Sequence, residues 1–177
     1  MDAPQYPAGP FQAETTCDER RRNAWIAEIE AAPARLGTLV AGLSAAQLDT
    51  RYRNWTIRQI VHHLADSHVN SYVRFKWALT EDNPTIKPYD DTRWAALTDS
   101  QTGDIAAPLA LLMGLHQRWV QLLRSLAPEQ FARTFFHPES RQTTSLAAAL
   151  NYYAWHGRHH TGQIEWLCRE KGWLAGA

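Results

Sequence analysis

Four stretches of this chain place apolar residues three and four positions apart, which commits most of it to amphipathic helices that must pack on one another. The first stripe runs through Trp25, Ile26, Ile29, Leu36, Leu39, Val40 and Leu43. Pro33 lies inside it and, lacking an N–H, is expected to kink or divide the helix. The second opens where Thr56 is followed three residues later by Gln59, the spacing of a capping box, and continues through Ile57, Ile60, Val61, Leu64, Tyr72 and Phe75. The third holds Leu112, Leu115, Trp119, Leu122, Leu123 and Leu126, beginning near Asp104 and stopping before Pro128. Ser145 or Thr144 caps the fourth, which passes through Leu146, Leu150, Tyr153, His156, His160, Ile164 and Leu167 until Gly172 ends it. The expected fold is all-α, a four-helix bundle.

The segments between these stripes are expected to be irregular. Residues 1–16, with Pro4, Pro7, Gly9 and Pro10, read as an extended arm lying across the folded body. A long polar connection from Glu81 to Asp104 joins the second helix to the third, with room for a short helix around Trp94 to Leu97. Residues 135–143, Phe135 to Thr143, read as a small hairpin turning at Pro138 to Ser140, with strands too short for a sheet. At 177 residues and 45% hydrophobic content, a single domain spanning 1–177 can bury its own core without disulfide staples. Eighteen basic and eighteen acidic side chains cancel, so the chain lacks the electrostatic footprint that nucleic acid or an anionic membrane demands. Cys17 and Cys168 form no CxxC pair and are expected as free thiols in a reducing compartment. No basic, apolar leader and no membrane-spanning run is present, so a cytoplasmic location is expected.

The histidines carry the functional signal. His156 and His160 stand one helical turn apart on the apolar stripe of the fourth helix, with Cβ atoms roughly 5 to 6 Å apart. Both rings can then reach one ion at about 2.0 to 2.1 Å. A lone buried imidazole must hydrogen-bond or lose solvation, and two in succession need a reason. A third ligand is available on the second helix, where His62, His63 and His68 are clustered. Periodicity favours His68, which lies nearest the middle of the apolar stripe, with His62 and His63 on its flanks; spacing leaves the choice open.

Residues 55–68, Trp55 to His68, together with the run Tyr153-Ala154-Trp155-His156-Gly157-Arg158-His159-His160, resemble the YfiT group of the DinB-like superfamily. Tyr6-Pro7-Ala8-Gly9 with Phe11, residues 70–76 and Lys87-Pro88-Tyr89-Asp90 extend the likeness over nearly the whole chain. The turn before Trp55, Tyr52-Arg53-Asn54, departs from the group's glycine-containing turn. The resemblance implies a bundle holding one divalent metal, zinc or nickel, on His63, His156 and His160, and it selects His63 over His68. It also implies a homodimer.

Three histidines leave a position open for water or substrate, as a catalytic metal requires. A water activated there gives a hydrolase, the activity associated with the YfiT group. A thiolate there gives a low-molecular-weight thiol S-transferase, as in other DinB-like members. A protein-filled coordination sphere, completed by His62 or His68, would instead make a non-catalytic metal-binding bundle. His159 is a candidate general base, and Asp66 and Glu165 are candidate partners for the distal N–H of a ligand histidine. Arg74 and Arg158 are candidates for gripping a carboxylate on a small-molecule substrate. Tyr152 and Trp55 are expected at the pocket mouth, while Cys168, two turns past His160, is too far to ligate.

Overall fold

The computed structural model describes residues 2–14 and 17–174. In chain order the elements are α1 (Glu19–Val40), α2 (Ala45–Leu48), β1 (Arg51–Tyr52), β2 (Trp55–Thr56), α3 (Ile57–Thr80), α4 (Asp91–Ala95), α5 (Thr98–Thr102), α6 (Ala106–Ser125), a 3-10 turn (Pro128–Ala132), β3 (Thr134–His137), β4 (Gln142–Ser145) and α7 (Leu146–Glu170). The four long helices α1, α3, α6 and α7 form the bundle, in which α1 lies against α6 and α7, and α3 against the same two. No helix among the described residues is long and apolar enough to cross a membrane.

Local chemistry sets the helix ends. Thr56 Oγ1 accepts from the Gln59 N–H at 3.1 Å while Gln59 Oε1 accepts from the Thr56 N–H at 2.9 Å, closing the capping box. The spare amide N–H of Gln59 donates to the Ala95 carbonyl at 2.7 Å, so the same residue fastens α4 to the start of α3. Ser145 caps α7. At its far end the Gly172 N–H donates to Arg169 and the Trp173 N–H to Cys168, with Gly172 at φ 67°, the left-handed closure that glycine allows.

Pro33 does not divide the first helix. It is buried inside an unbroken α1, and the Ile29 carbonyl that its missing N–H would have served is bonded instead by His116 Nδ1 at 2.6 Å. Two other details exceed the expectation. A two-residue turn at Arg53-Asn54 joins β1 to β2, with Arg53 held at φ 52°, where the backbone favours glycine. The second hairpin is a true two-stranded antiparallel sheet, registered from Thr134 opposite Ser145 to His137 opposite Gln142.

Buried side chains divide into two apolar clusters. Phe75, Trp119, Phe131 and Leu146 lead one, and Leu36, Ile57, Ile60 and Ile164 lead the other. His68, His116 and His156 belong to neither cluster, although all three are buried. The segment 2–14 has no regular structure but is tied down: the Tyr52 hydroxyl donates to the Pro4 carbonyl, and Trp155 Nε1 donates to Gly9 at 2.9 Å. Met1, Thr15 and Thr16 of the arm lie outside the described residues.

Candidate metal centre

α3 and α7 bring three imidazoles to one point. The ring nitrogens of His63, His156 and His160 lie within 4.8 Å of one another, all buried. His63 Nε2 and His156 Nε2 are 3.3 Å apart. Two nitrogens each about 2.0 to 2.1 Å from a tetrahedral ion would be separated by about 3.3 to 3.4 Å, so this pair already has the spacing that a shared cation sets. The donor set fits a divalent ion: three neutral nitrogens of borderline softness, suited to zinc or nickel.

Burial keeps these rings neutral. Desolvation, reinforced by the neighbouring histidines, lowers His156 and His160 well below the ordinary imidazole value. It lowers His63 to about 4, partly offset by Asp91. A neutral imidazole carries one N–H and one lone pair, so which nitrogen holds the proton decides whether a ring can ligate. For His160 the neighbour is Gln163, whose Oε1 stands 2.8 Å from His160 Nδ1. An amide oxygen only accepts, so Nδ1 carries the proton and Nε2 keeps its lone pair for an ion.

The same Gln163 settles the placement of His159. Its amide N–H donates to His159 Nε2 at 3.0 Å, which puts the His159 proton on Nδ1, a buried nitrogen with no hydrogen-bond partner. His159 therefore has no free lone pair with which to accept a proton, and its ring instead stacks on Trp155 at 4.7 Å. Glu165 is paired with Arg169 at 2.5 Å, and Arg158 with Glu28 at 3.6 Å. No hydrogen bond links Asp66 to a ligand histidine among the described residues. Desolvation, with the nearby Asp99, raises its carboxyl to about 6. Sequence reasoning missed Gln163, although its spacing three residues past His160 was readable.

The three imidazoles open onto a cavity of about 940 Å³. Trp55 walls it from one side, its ring 4.5 Å from that of His63, and Tyr152 from the other, its ring 5.7 Å from that of His156. Arg74 reaches the cavity from α3 with a buried Nε that has no hydrogen-bond partner. Asp91, in the first turn of α4, lines the cavity and acts electrostatically on His63. His137, at the end of β3, also lines it.

His62 and His68 do not join the cluster. His62 lies close enough to Arg58 and Asp99 to feel their charges, with its Nε2 buried and unpartnered. His68, the choice of periodicity, is central in the stripe at 1% exposure, but it stands behind His156, bonded to that ring's Nδ1 at 3.2 Å. Among the described residues no fourth histidine, cysteine or carboxylate completes the group. Cys168 is buried in the apolar cluster beyond it.

Residues 28–164 match the DinB superfamily. Over 170 residues the chain is 46% identical to the Bacillus subtilis (strain 168) protein YfiT, covering 95% of this chain and 96% of that protein, whose name proposes a metal-dependent hydrolase. It is 50% identical over 171 residues to a protein of Bacillus mycoides (strain KBAB4) with the same proposed activity, covering 96% and 98% of the two chains. The solved structure of YfiT from Bacillus subtilis, described as an unusual four-helix bundle topology, superposes with a TM-score of 0.93 at 46% identity, over 96% of this chain and 98% of that one.

Proposed function

Because this chain belongs to the DinB superfamily, we propose that it is a metal-dependent hydrolase of a small anionic molecule, with one divalent ion, zinc or nickel, held by His63, His156 and His160. The observation that carries this reading is the convergence of three neutral imidazoles at the wall of a cavity that Arg74 also lines. The chemistry such an ion supplies is Lewis acidity, which polarises a carbonyl oxygen and acidifies a water or thiol at its open position.

The chain's own groups divide the remaining work. Arg74 holds a carboxylate of the substrate bidentately and orients it. Trp55 and Tyr152 exclude bulk water, which strengthens every charge interaction inside the cavity. Asp91 accepts the proton released by the nucleophile, the role that His159 cannot fill with its lone pair engaged by Gln163.

That engagement also favours a second reading, S-transfer from a low-molecular-weight thiol, because an ionised thiol attacks without a base to activate it. The deciding experiment incubates zinc- or nickel-loaded protein with a panel of esters and amides, with and without a carboxylate, and separately with a thiol plus an electrophile. Ester or amide turnover that scales with metal content supports hydrolysis; turnover confined to the thiol arm replaces it with transfer. Arg74→Ala should raise KM about 10- to 100-fold for the carboxylate-bearing substrate and leave metal content unchanged. An unchanged KM would remove the anion from the proposal.

A further inference from the structure

Behind the ligand His156 runs a line of hydrogen bonds whose direction is fixed from its far end. A carbonyl oxygen can only accept, and the Ile29 carbonyl is free because Pro33, four residues on, has no N–H to give it. His116 Nδ1, 2.6 Å away, must therefore donate. A neutral ring with its proton on Nδ1 has only a lone pair on Nε2. His68 Nδ1, 2.7 Å from that lone pair, must in turn donate. His68 Nε2 then accepts from His156 Nδ1 at 3.2 Å. The last ring is left with a lone pair on Nε2, the nitrogen 3.3 Å from His63 Nε2. The opposite direction would require a carbonyl to donate.

We propose that His68 and His116 are positioning residues for the metal centre: anchored on the carbonyl that Pro33 leaves free, they hold His156 in the one tautomer that can ligate. The assignment rests on the metal reading above, and it adds two histidines and a proline that no ligand motif contains. The relay is rigidly housed. The His68 and His116 rings lie nearly coplanar, 17° apart with centroids 4.9 Å apart, so their shared hydrogen bond runs in the ring planes, and Trp119 and Tyr153 meet the His68 ring edge-on at 5.9 and 5.5 Å. His68 and His116 are 1% and 2% exposed. Because the chain ends on a carbonyl that cannot take up a proton, it orients His156 and does not conduct protons. Partners of this kind usually raise metal affinity 10- to 100-fold by fixing the tautomer and increasing ligand basicity.

The test compares His116→Gln with His116→Leu. Glutamine can donate to Ile29 and accept from His68; leucine fills similar space and can do neither. Zinc affinity, read by competition with a chromophoric chelator, should fall about 10- to 100-fold in His116→Leu and return most of the way in His116→Gln. Nitrogen-15 spectra of histidine-labelled, metal-free wild-type protein should show the His156 proton on Nδ1, a readout that needs no variant to fold. A proton found on His156 Nε2, or a folded His116→Leu that binds zinc as tightly as wild type, overturns the relay. Wild-type protein that binds neither zinc nor nickel overturns the metal centre instead, and the tautomer result still stands on its own.

Discussion

His156 separates two groups of histidines that obey opposite rules. On its Nδ1 side, His68 and His116 satisfy one another, each N–H meeting a lone pair until a backbone carbonyl closes the line. On its Nε2 side, His63 and His160 bring further nitrogens to the same point, and the His160 proton is drawn away to Gln163. A buried polar group left without a partner costs about 1 to 3 kcal/mol. The inner group avoids that cost by itself, whereas the outer group would be satisfied by the proposed cation. Residue type is identical on the two sides, so the difference in role comes from what terminates each hydrogen-bond line.

The strongest way to break this contrast is to remove an outer ring. His160→Ala should reduce metal from near one ion per chain to almost none, with metal-dependent turnover lost alongside, a larger effect than the 10- to 100-fold expected of the inner partner His116. Metal analysis after gel filtration checks it, and full retention would show that the cluster is no centre. A subtler change targets the proton rather than the ring. Gln163→Leu should weaken zinc binding by about tenfold, toward the low end of that range because water can replace the amide at this half-buried position.

The smallest effect sharpens the comparison by a group outside both histidine sets. Burial raises the Asp66 carboxyl to about 6, so the native state holds a proton that the unfolded state has already released. Its contribution to stability is therefore present below the ordinary carboxylate range and is lost as pH rises through about 6. Asp66→Asn should raise the melting temperature at pH 7, a gain kept below about 1 kcal/mol by solvent screening. The gain should shrink as the pH falls toward 4, and equal gains at both pH values would contradict the burial argument.

Much of the fold was legible because its signals are local. The Thr56–Gln59 capping box, the Ser145 cap and the glycine closure after α7 are written within a few residues of the bonds they form. The pairing of His156 with His160 was legible for the same reason. What escaped periodicity, though the family resemblance had already selected His63, depends on packing between distant segments. Three histidines on α3 point in three directions, and only the crossing with α7 decides that His63 faces the cavity while His68 faces inward. The placing of His116 was illegible without its partner: a proline that looks like a helix breaker is instead the reason a carbonyl 87 positions away in sequence is free to receive it.

The tether of the leading segment has a practical consequence. Tyr6 rests on the His159 ring at 5.8 Å, and Phe11 on Tyr152 at 5.3 Å. A segment packed on the rings beside the cavity is one whose sequence an assay should leave unaltered, so activity belongs on material whose purification tag has been fully excised.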